Sequence, residues 1–351
     1  HMMKMTLIPK SIMILMTQTA LFNKGVFILS KVKRAYIMFF IFIVLYFGSS
    51  FVLFSIPGLE NIDLMLYNII GQLIMFIPLL LICIAVSKDS VKNIYQFNKV
   101  PVLDIILAIF LALAIEPAMS LLSMLSTIIF PNEVSEYMAV TYDSPLIISV
   151  ISTALIPAVC EEMFFRGALF SQFKNIPLKS ACLLTGVLFG IAHFDAQQFL
   201  YAFAMGALMC YVVYKTNSII PTIVVHFTIN FSQLIFSRFT TDTEFTEELT
   251  NTITEAAAAS EMTIGQLVLP YVLMTVISIP LIYIILKFMG RRRTVSLPAN
   301  NMVLTDNEFF PVYNETVFDY KPQDGFAEKV FTPAFFVILI IYIGYIALTF
   351  A

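Results

Sequence analysis

A pair of adjacent carboxylates within an apolar stretch is the first group of residues that could carry chemistry. Glu161 and Glu162 are neighbours, and Arg166 stands four residues beyond Glu162. Residues four apart share one face of a helix, so Glu162 and Arg166 are predicted to form an ion pair. Glu161 projects about 100° away around the helix. Arg166 therefore need not neutralise Glu161, which we expect to remain available as a base.

Two histidines lie in apolar stretches further along the chain. His193 follows Phe189 by four residues, and His226 precedes Asn230 by four residues. The second pair therefore shares a helical face. Counted from the flanking basic loops at 1.5 Å per residue, Glu161, His193, His226 and Asn230 are predicted to lie about 12–22 Å deep, near the middle of a membrane core about 30 Å thick. Three helices can thus deliver these side chains to one depth.

This set of side chains suits hydrolysis of an acyl bond. A carboxylate with an imidazole can deprotonate water. A second imidazole and an amide N–H can stabilise the oxyanion that forms, each donor contributing about 3–4 kcal/mol. The same residues could instead hold zinc, with Glu161, His193 and His226 as ligands. The chain lacks HExxH, the usual helical zinc motif, and both interpretations stay open on the residues alone.

The composition indicates that these residues lie in a membrane. The chain is 59% hydrophobic and 12% charged, whereas an average soluble domain has about 25% charged residues. Inserting an ionisable side chain into the membrane core costs about 2.5–3.5 kcal/mol of free energy. Ionisable residues that lie there are therefore expected to have a function. The net charge of −3 argues against a nucleic-acid partner. The cysteines show no CxxC spacing and are predicted to be buried apolar residues.

Apolar stretches of membrane length recur about nine times, which predicts an all-α, polytopic transmembrane helix bundle of about eight to nine helices around an intramembrane catalytic cavity. The loops between them alternate between basic and acidic. Because lysine and arginine concentrate in cytoplasmic loops, the acidic loops are predicted to be external. The predicted spans are approximately 35–56, 62–86, 102–130, 145–173, 178–195, 197–214, 218–238, 266–289 and 331–350.

The remaining stretches are more polar, and they indicate where the chain divides into separate parts. The first residues are apolar only in patches, which favours an interfacial helix. Prolines and polar residues before the last span indicate a cytoplasmic connector. The predicted parts are an N-terminal interfacial segment at 1–34, a membrane core at 35–289 with its motif region at 145–240, a connector at 290–330 and an additional C-terminal transmembrane helix at 331–351.

A further carboxylate lies within the third span. Glu116 is followed directly by Pro117. A proline interrupts the hydrogen bonds of a helix and can expose backbone to a cavity. Glu116 is therefore a candidate residue for lining the path along which a substrate enters.

In its motif residues the chain resembles the CAAX-processing and bacteriocin-processing family (CPBP or Abi) of intramembrane proteases. The motifs of that family are EExxxR, FxxxH and HxxxN/D on successive helices, and they stand here in the same order with every motif residue matched. The resemblance implies a multi-pass protein of the cell membrane with a cavity that opens toward the cytoplasmic side. It implies an endopeptidase for membrane-associated peptides or lipidated proteins.

The resemblance also implies a role for each motif residue. Glu161 and His193 would activate the water that attacks the peptide bond. His226 and Asn230 would form the oxyanion site. No cofactor is expected in this form of the mechanism, and zinc is the alternative. The residues with supporting, structural roles would be Glu162, Arg166 and Phe189.

Two functions from other classes also use ionisable residues within a membrane. A transporter or channel could use them as a proton or ion relay. A scaffold or immunity partner could keep the fold without proteolytic activity. The motifs lie in one stretch rather than in two repeated halves, which argues against the relay, and their intact residues argue against the scaffold.

Overall fold

The computed structural model describes residues 10–131, 138, 141–173, 176–241, 263–290 and 330–350. Helices account for nearly all of them, and these residues include no strand. The predicted all-α fold is confirmed. The helices, numbered in chain order, are α1 Lys10–Phe54, α2 Leu64–Ser87, α3 Val91–Tyr95, α4 Val102–Thr127, α5 Leu146–Gln172, α6 Leu178–Ala192, α7 Ala196–Thr216, α8 Ile220–Thr241, α9 Ile264–Phe288 and α10 Pro333–Thr349, with 3-10 turns at Leu59–Asn61 and Thr141–Asp143.

Among the described residues, seven helices are long and apolar enough to cross a membrane, namely α2, α4, α5, α7, α8, α9 and the part of α1 from Lys31 onward. The helices α6 and α10 are apolar but shorter. Together they correspond to the predicted spans, and the protein is a polytopic membrane bundle. Because α1 begins at Lys10, residues 10–34 of the predicted N-terminal segment continue into the first span without a break. Nearly all of the connector 290–330 lies outside the described residues.

The helix that carries both carboxylates is not a regular α-helix. Within α5, the α-helical stretch Ile156–Glu162 lies between two π-helical stretches, Ile151–Leu155 and Met163–Leu169. Such wider turns are rare and are frequent at functional sites. Pro157 stands in the first turn of the α-helical stretch. It has no N–H for a hydrogen bond to the residue one turn earlier.

Hydrogen bonds between helix ends define one face of the bundle. Arg34 Nη1 donates to the Ser87 carbonyl at 2.8 Å, which joins α1 to the end of α2. Asn98 Nδ2 donates to the Asn217 carbonyl at 2.6 Å, which joins the α3–α4 loop to the α7–α8 loop. We call this the basic face, because its segments 31–34, 87–101 and 215–219 carry seven lysines and arginines.

A second set of bonds defines the opposite face. Ser144 Oγ donates to Asp63 Oδ2 at 2.7 Å, which joins the loop before α5 to the start of α2. Gln197 Nε2 donates to Ser123 Oγ at 2.7 Å, which joins the start of α7 to the last turns of α4. Arg238, near the end of α8, donates to the Ser144 carbonyl at 2.5 Å. We call this the acidic face, because its segments 55–63, 128–145 and 193–195 carry acidic residues and no lysine or arginine.

Glycines allow α6 and α7 to pack closely, which sets the position of the second motif. A Cβ on Gly186 would lie 2.7 Å from the Phe203 carbonyl oxygen, and a Cβ on Gly206 would lie 3.0 Å from the Phe189 Cβ. Real Cβ atoms do not approach that closely without a shift of the backbone. The contact of these two helices therefore determines where Phe189 lies.

Candidate active site

Glu162 lies at the centre of a buried polar cluster. Its Oε1 atom is 3.0 Å from Arg166 Nη1 and 3.0 Å from His226 Nδ1. The side chains of Glu162 and Arg166 are fully buried, and that of His226 is 4% exposed. The predicted contact between Glu162 and Arg166 is thus present. The same carboxylate also connects α5 to His226 on α8, a contact that the sequence did not predict.

The Arg166 guanidinium lies on the Phe189 ring. Its carbon is 4.2 Å from the ring centroid, a distance at which a desolvated cation–π contact contributes about 2 kcal/mol. Apart from the ion pair of Nη1 with Glu162, the guanidinium nitrogens have no polar partner in the described part of the chain. The Phe189 ring also meets the rings of His193 and His226 edge to face, at centroid distances of 4.9 and 6.2 Å. Phe189 is therefore in contact with residues of all three motifs.

The end of α6 determines which nitrogen of His193 carries a proton. The helix ends at Ala192, and His193 Nδ1 lies 2.8 Å from the Phe189 carbonyl oxygen. A carbonyl oxygen only accepts hydrogen bonds, so Nδ1 is the donor. In the neutral ring, Nε2 then has a free lone pair and can accept a proton.

Pro157 and Asn230 form a matched pair between α5 and α8. Because Pro157 has no N–H, it cannot bond to the carbonyl of Thr153, four residues earlier. Asn230 Nδ2 donates to that carbonyl at 2.9 Å. The contact holds the Asn230 amide with its nitrogen toward α5. One of the two amide hydrogens is used, and the other remains for a ligand.

These side chains surround a cavity of about 500 Å³. The predicted catalytic residues Glu161, His193, His226 and Asn230 all line it. Glu161 is half-buried and makes no hydrogen bond or ion pair with the described residues. The other lining residues are Tyr46, Asn68, Gln72, Met119, Met138, Ser152, Thr153, Pro157, Phe194, Asp195, Gln198, Tyr201, Met205, Ile229, Gln233 and Tyr345.

A comparison with protein families matches the part of the chain that builds this cavity. The family model described as "Type II CAAX prenyl endopeptidase Rce1-like" matches residues 143–232. We call residues 143–232, which this model matches, the Rce1-like domain. The match contains all three motifs and agrees with the predicted motif region 145–240. Neither a search of curated proteins nor a search of solved structures finds a match to the chain.

The cavity of the Rce1-like domain also includes polar residues that were not predicted as site residues. Tyr201 Oη donates to Gln198 Oε1 at 2.7 Å. On α2, which precedes the domain, Gln72 Nε2 donates to the Ser152 carbonyl at 2.9 Å. Asn68 and Gln72 lie four apart in an otherwise apolar span. Two polar residues four apart share one face of an apolar helix, and this pattern could have identified both as site residues from the sequence.

The C-terminal helix contributes to the cavity beside the Rce1-like domain. Tyr345 of α10 lines the cavity, and its ring lies 5.3 Å from the Phe194 ring. Tyr342 Oη donates to the Asp195 carbonyl at 3.3 Å. The predicted addition at 331–351 therefore contributes to the wall of the cavity.

Glu116 lies beside the cavity rather than in its lining. Ser232 Oγ donates to Glu116 Oε1 at 2.8 Å, which joins α4 to α8. Gln233, the next residue along α8, does line the cavity. A role of Glu116 in substrate entry stays a prediction.

The side chains of the cavity do not form a metal site as they are placed here. No group of three or more His, Cys, Asp or Glu side chains within the described ranges is arranged to hold a metal ion. Of the alternative ligands, His226 is bonded through Nδ1 to Glu162, and His193 through Nδ1 to a backbone carbonyl. Both bonds leave Nε2 free, as in histidines that ligate zinc, so zinc stays the alternative prediction.

Proposed function

We propose that the protein is an intramembrane endopeptidase of the cell membrane that hydrolyses peptide bonds in membrane-associated peptides or lipidated proteins. The observation that carries the proposal is the different placement of the two adjacent carboxylates. Glu162 is buried between Arg166 and His226, whereas Glu161 lines the cavity without a partner among the described residues. The Rce1-like match at 143–232 supports a protease of the CAAX type.

The first step is activation of water by Glu161 and His193. A water in the cavity can donate one hydrogen to the Glu161 carboxylate and the other to His193 Nε2, whose lone pair is free because Nδ1 bonds to the Phe189 carbonyl. Its oxygen attacks the carbonyl carbon as Glu161 takes the proton. When the C–N bond breaks, the same proton passes to the amine that leaves.

The oxyanion of the tetrahedral intermediate is stabilised by His226 and Asn230. Asn230 has one amide N–H left after its bond to Thr153. His226 bonds through Nδ1 to Glu162, so its Nε2 faces the oxyanion and donates from the doubly protonated ring. Arg166 balances the charge of Glu162. Donors fixed in a site without bulk water contribute most to this step.

The proposed mechanism is metal-free, with Glu161 and His193 as the groups that activate water. Elemental analysis of purified wild-type and His193→Ala protein tests this part separately. We expect no stoichiometric zinc in either protein. One zinc per chain in the wild type, lost in His193→Ala, would overturn the metal-free form and favour a metalloprotease.

The experiment that tests the function is cleavage of a mixed peptide library in liposomes, with and without a lipid anchor on the peptides. Wild-type protein is compared with Glu161→Gln, which keeps the size of the side chain and removes its basicity. Asp63→Asn, a change of carboxyl to amide outside the cavity, is the matched control. Products from the wild type and Asp63→Asn but not from Glu161→Gln are expected. Equal products from all three folded proteins would exclude the role of Glu161, and no products from any would favour a scaffold or a relay.

A further inference from the structure

The cavity lies toward the acidic face of the bundle. Phe194 and Asp195, in the turn between α6 and α7, line it, as does Met138 between α4 and α5. Asn68 and Gln72 line it from the first half of α2, the half that adjoins the acidic face. None of the described residues of the basic-face loops is part of the lining.

The charges of the chain assign this face to one side of the membrane. In the sequence, the segments between the helix ends of the acidic face, 55–63, 128–145, 193–195 and 242–263, contain acidic residues and no lysine or arginine. Arg238, in the last turn of α8, is near this face, where it donates to the Ser144 carbonyl. The basic face carries Lys31, Lys33, Arg34, Lys88, Lys92, Lys99 and Lys215, and Lys287 lies at the corresponding end of α9. Because lysine and arginine concentrate on the cytoplasmic side, the acidic face is external.

The cavity lining contains acidic side chains, as the loops of this face do. No lysine or arginine lines it, and Glu161 and Asp195 are its acidic residues. Asp195 Oδ1 accepts a hydrogen bond from the Gln197 N–H at 2.8 Å, where it caps α7. Its Oδ2 is buried and accepts no hydrogen bond from the described part of the chain. A buried acceptor without a donor is unfavourable, and a cationic group of a ligand would satisfy it.

We propose that the substrate reaches the cavity from the external, acidic face and that Asp195 selects a positively charged residue near the bond to be cleaved. The acidic loops would concentrate such a segment at the cavity, because charges of one sign around a cleft attract the opposite sign. This proposal rests on the proposed function for its catalytic part. It is opposite to the cytoplasmic opening that the family resemblance implies.

Labelling of a single cysteine tests the side of access without any need for activity. Gln198→Cys places a thiol in the cavity, and Lys92→Cys places one on the exposed part of the basic face. Intact cells are treated with a membrane-impermeant maleimide. Wild-type protein, treated in the same way, measures the background labelling of the native cysteines. We expect labelling of Gln198→Cys in intact cells and of Lys92→Cys only after permeabilisation. The reverse pattern would overturn the external access.

Peptide cleavage by Asp195→Asn tests the selection of charge. Asparagine also caps helices, so this change keeps the start of α7 and removes the charge. Matched peptides carry Lys, Gln or Glu beside the cleaved bond. We expect the wild type to have a KM for the Lys peptide roughly fivefold lower than for the Gln peptide, and Asp195→Asn to have equal KM values for these two peptides. Equal KM values for the three peptides in the wild type would overturn the selection by Asp195.

The outcomes separate this proposal from the proposed function. If no peptide is cleaved by the detergent-solubilised wild type, the protease function fails, while the labelling still reports the side of access. If peptides are cleaved but only inverted membrane vesicles cleave an impermeant peptide, the protease function stands and the external access fails.

Discussion

The Arg166 guanidinium lies 4.2 Å above the centroid of the Phe189 ring, and the two residues come from different motifs on different helices. Phe189 in turn touches the rings of both histidines. The supporting residues therefore form one connected cluster behind the cavity wall. Its contacts, and those that hold the bundle around it, lead to five predictions.

Loss of Arg166 should destabilise the fold. Arg166→Ala leaves the buried Glu162 carboxylate without its cation, which costs about 3–5 kcal/mol. Arg166→Lys keeps the charge but loses the planar contact with Phe189, and we expect a smaller loss. Denaturation of the purified proteins in detergent measures both. Unchanged stability of Arg166→Ala with loss of activity alone would contradict the supporting role of the ion pair.

Phe189→Leu should reduce activity more than its effect on stability explains. The change removes the cation–π contact, worth about 0.5–2 kcal/mol, and the ring edge that positions His193. Phe164→Leu is the matched control, because Phe164 is equally buried and its ring stacks on Phe42 at 5.4 Å. We expect similar unfolding midpoints for the two variants and a lower kcat only for Phe189→Leu. Equal kcat values would show that Phe189 only fills space.

Asn230→Ala should lower kcat by about 10²–10³, the effect of removing one oxyanion donor. Thr228→Ala on the same helix is the control, because Thr228 Oγ1 bonds to the Val224 carbonyl within α8. Steady-state kinetics with one cleaved peptide compare the two variants. A rise in KM alone for Asn230→Ala would place the amide in substrate binding instead.

Gly186→Ala should destabilise the contact of α6 with α7 by about 1–3 kcal/mol, because the added Cβ would lie 2.7 Å from the Phe203 carbonyl oxygen. Gly344→Ala on α10 is the control, since a Cβ there meets nothing within 4 Å. The control is expected to keep or raise stability. The unfolding midpoint in detergent is the measurement. Equal stability of the two variants would show that the helices can separate at no cost.

Asp63 should make stability depend on pH at acidic values. The hydrogen bond from Ser144, together with those from the Leu66 and Met65 N–H groups, lowers the pKa of its carboxyl below the usual 3.8. The ionised carboxylate therefore stabilises the fold above about pH 4. This contribution is lost as the pH falls through the lower, folded pKa.

The comparison for this effect is wild type against Asp63→Asn, which can still cap α2 but has no charge to lose. We expect the wild type to have the higher unfolding midpoint at pH 7 and the difference to shrink below about pH 4. A difference that is constant from pH 7 to pH 3 would contradict the role of the ionised carboxylate.

Local spacing was sufficient to predict the helical membrane spans and the contact of Glu162 with Arg166. A span is defined by its own run of apolar residues, and residues four apart are neighbours on any helix. The motif region could also be predicted from residue types and order, since it agrees with the Rce1-like match. In each case the physical cause lies within one continuous stretch of chain.

The contacts between helices depended on the tertiary structure. Whether Glu162 meets His226, Arg166 lies on Phe189, or Asn230 bonds to Thr153 depends on how far each helix is rotated and how deep it lies against its neighbours. The cavity lies toward the acidic face for the same reason, because helices of unequal length and the π-helical turns of α5 set the height of each side chain. The sequence alone determined which side chains lie within the membrane; only the packing of the helices decided which of them meet and on which side the cavity lies.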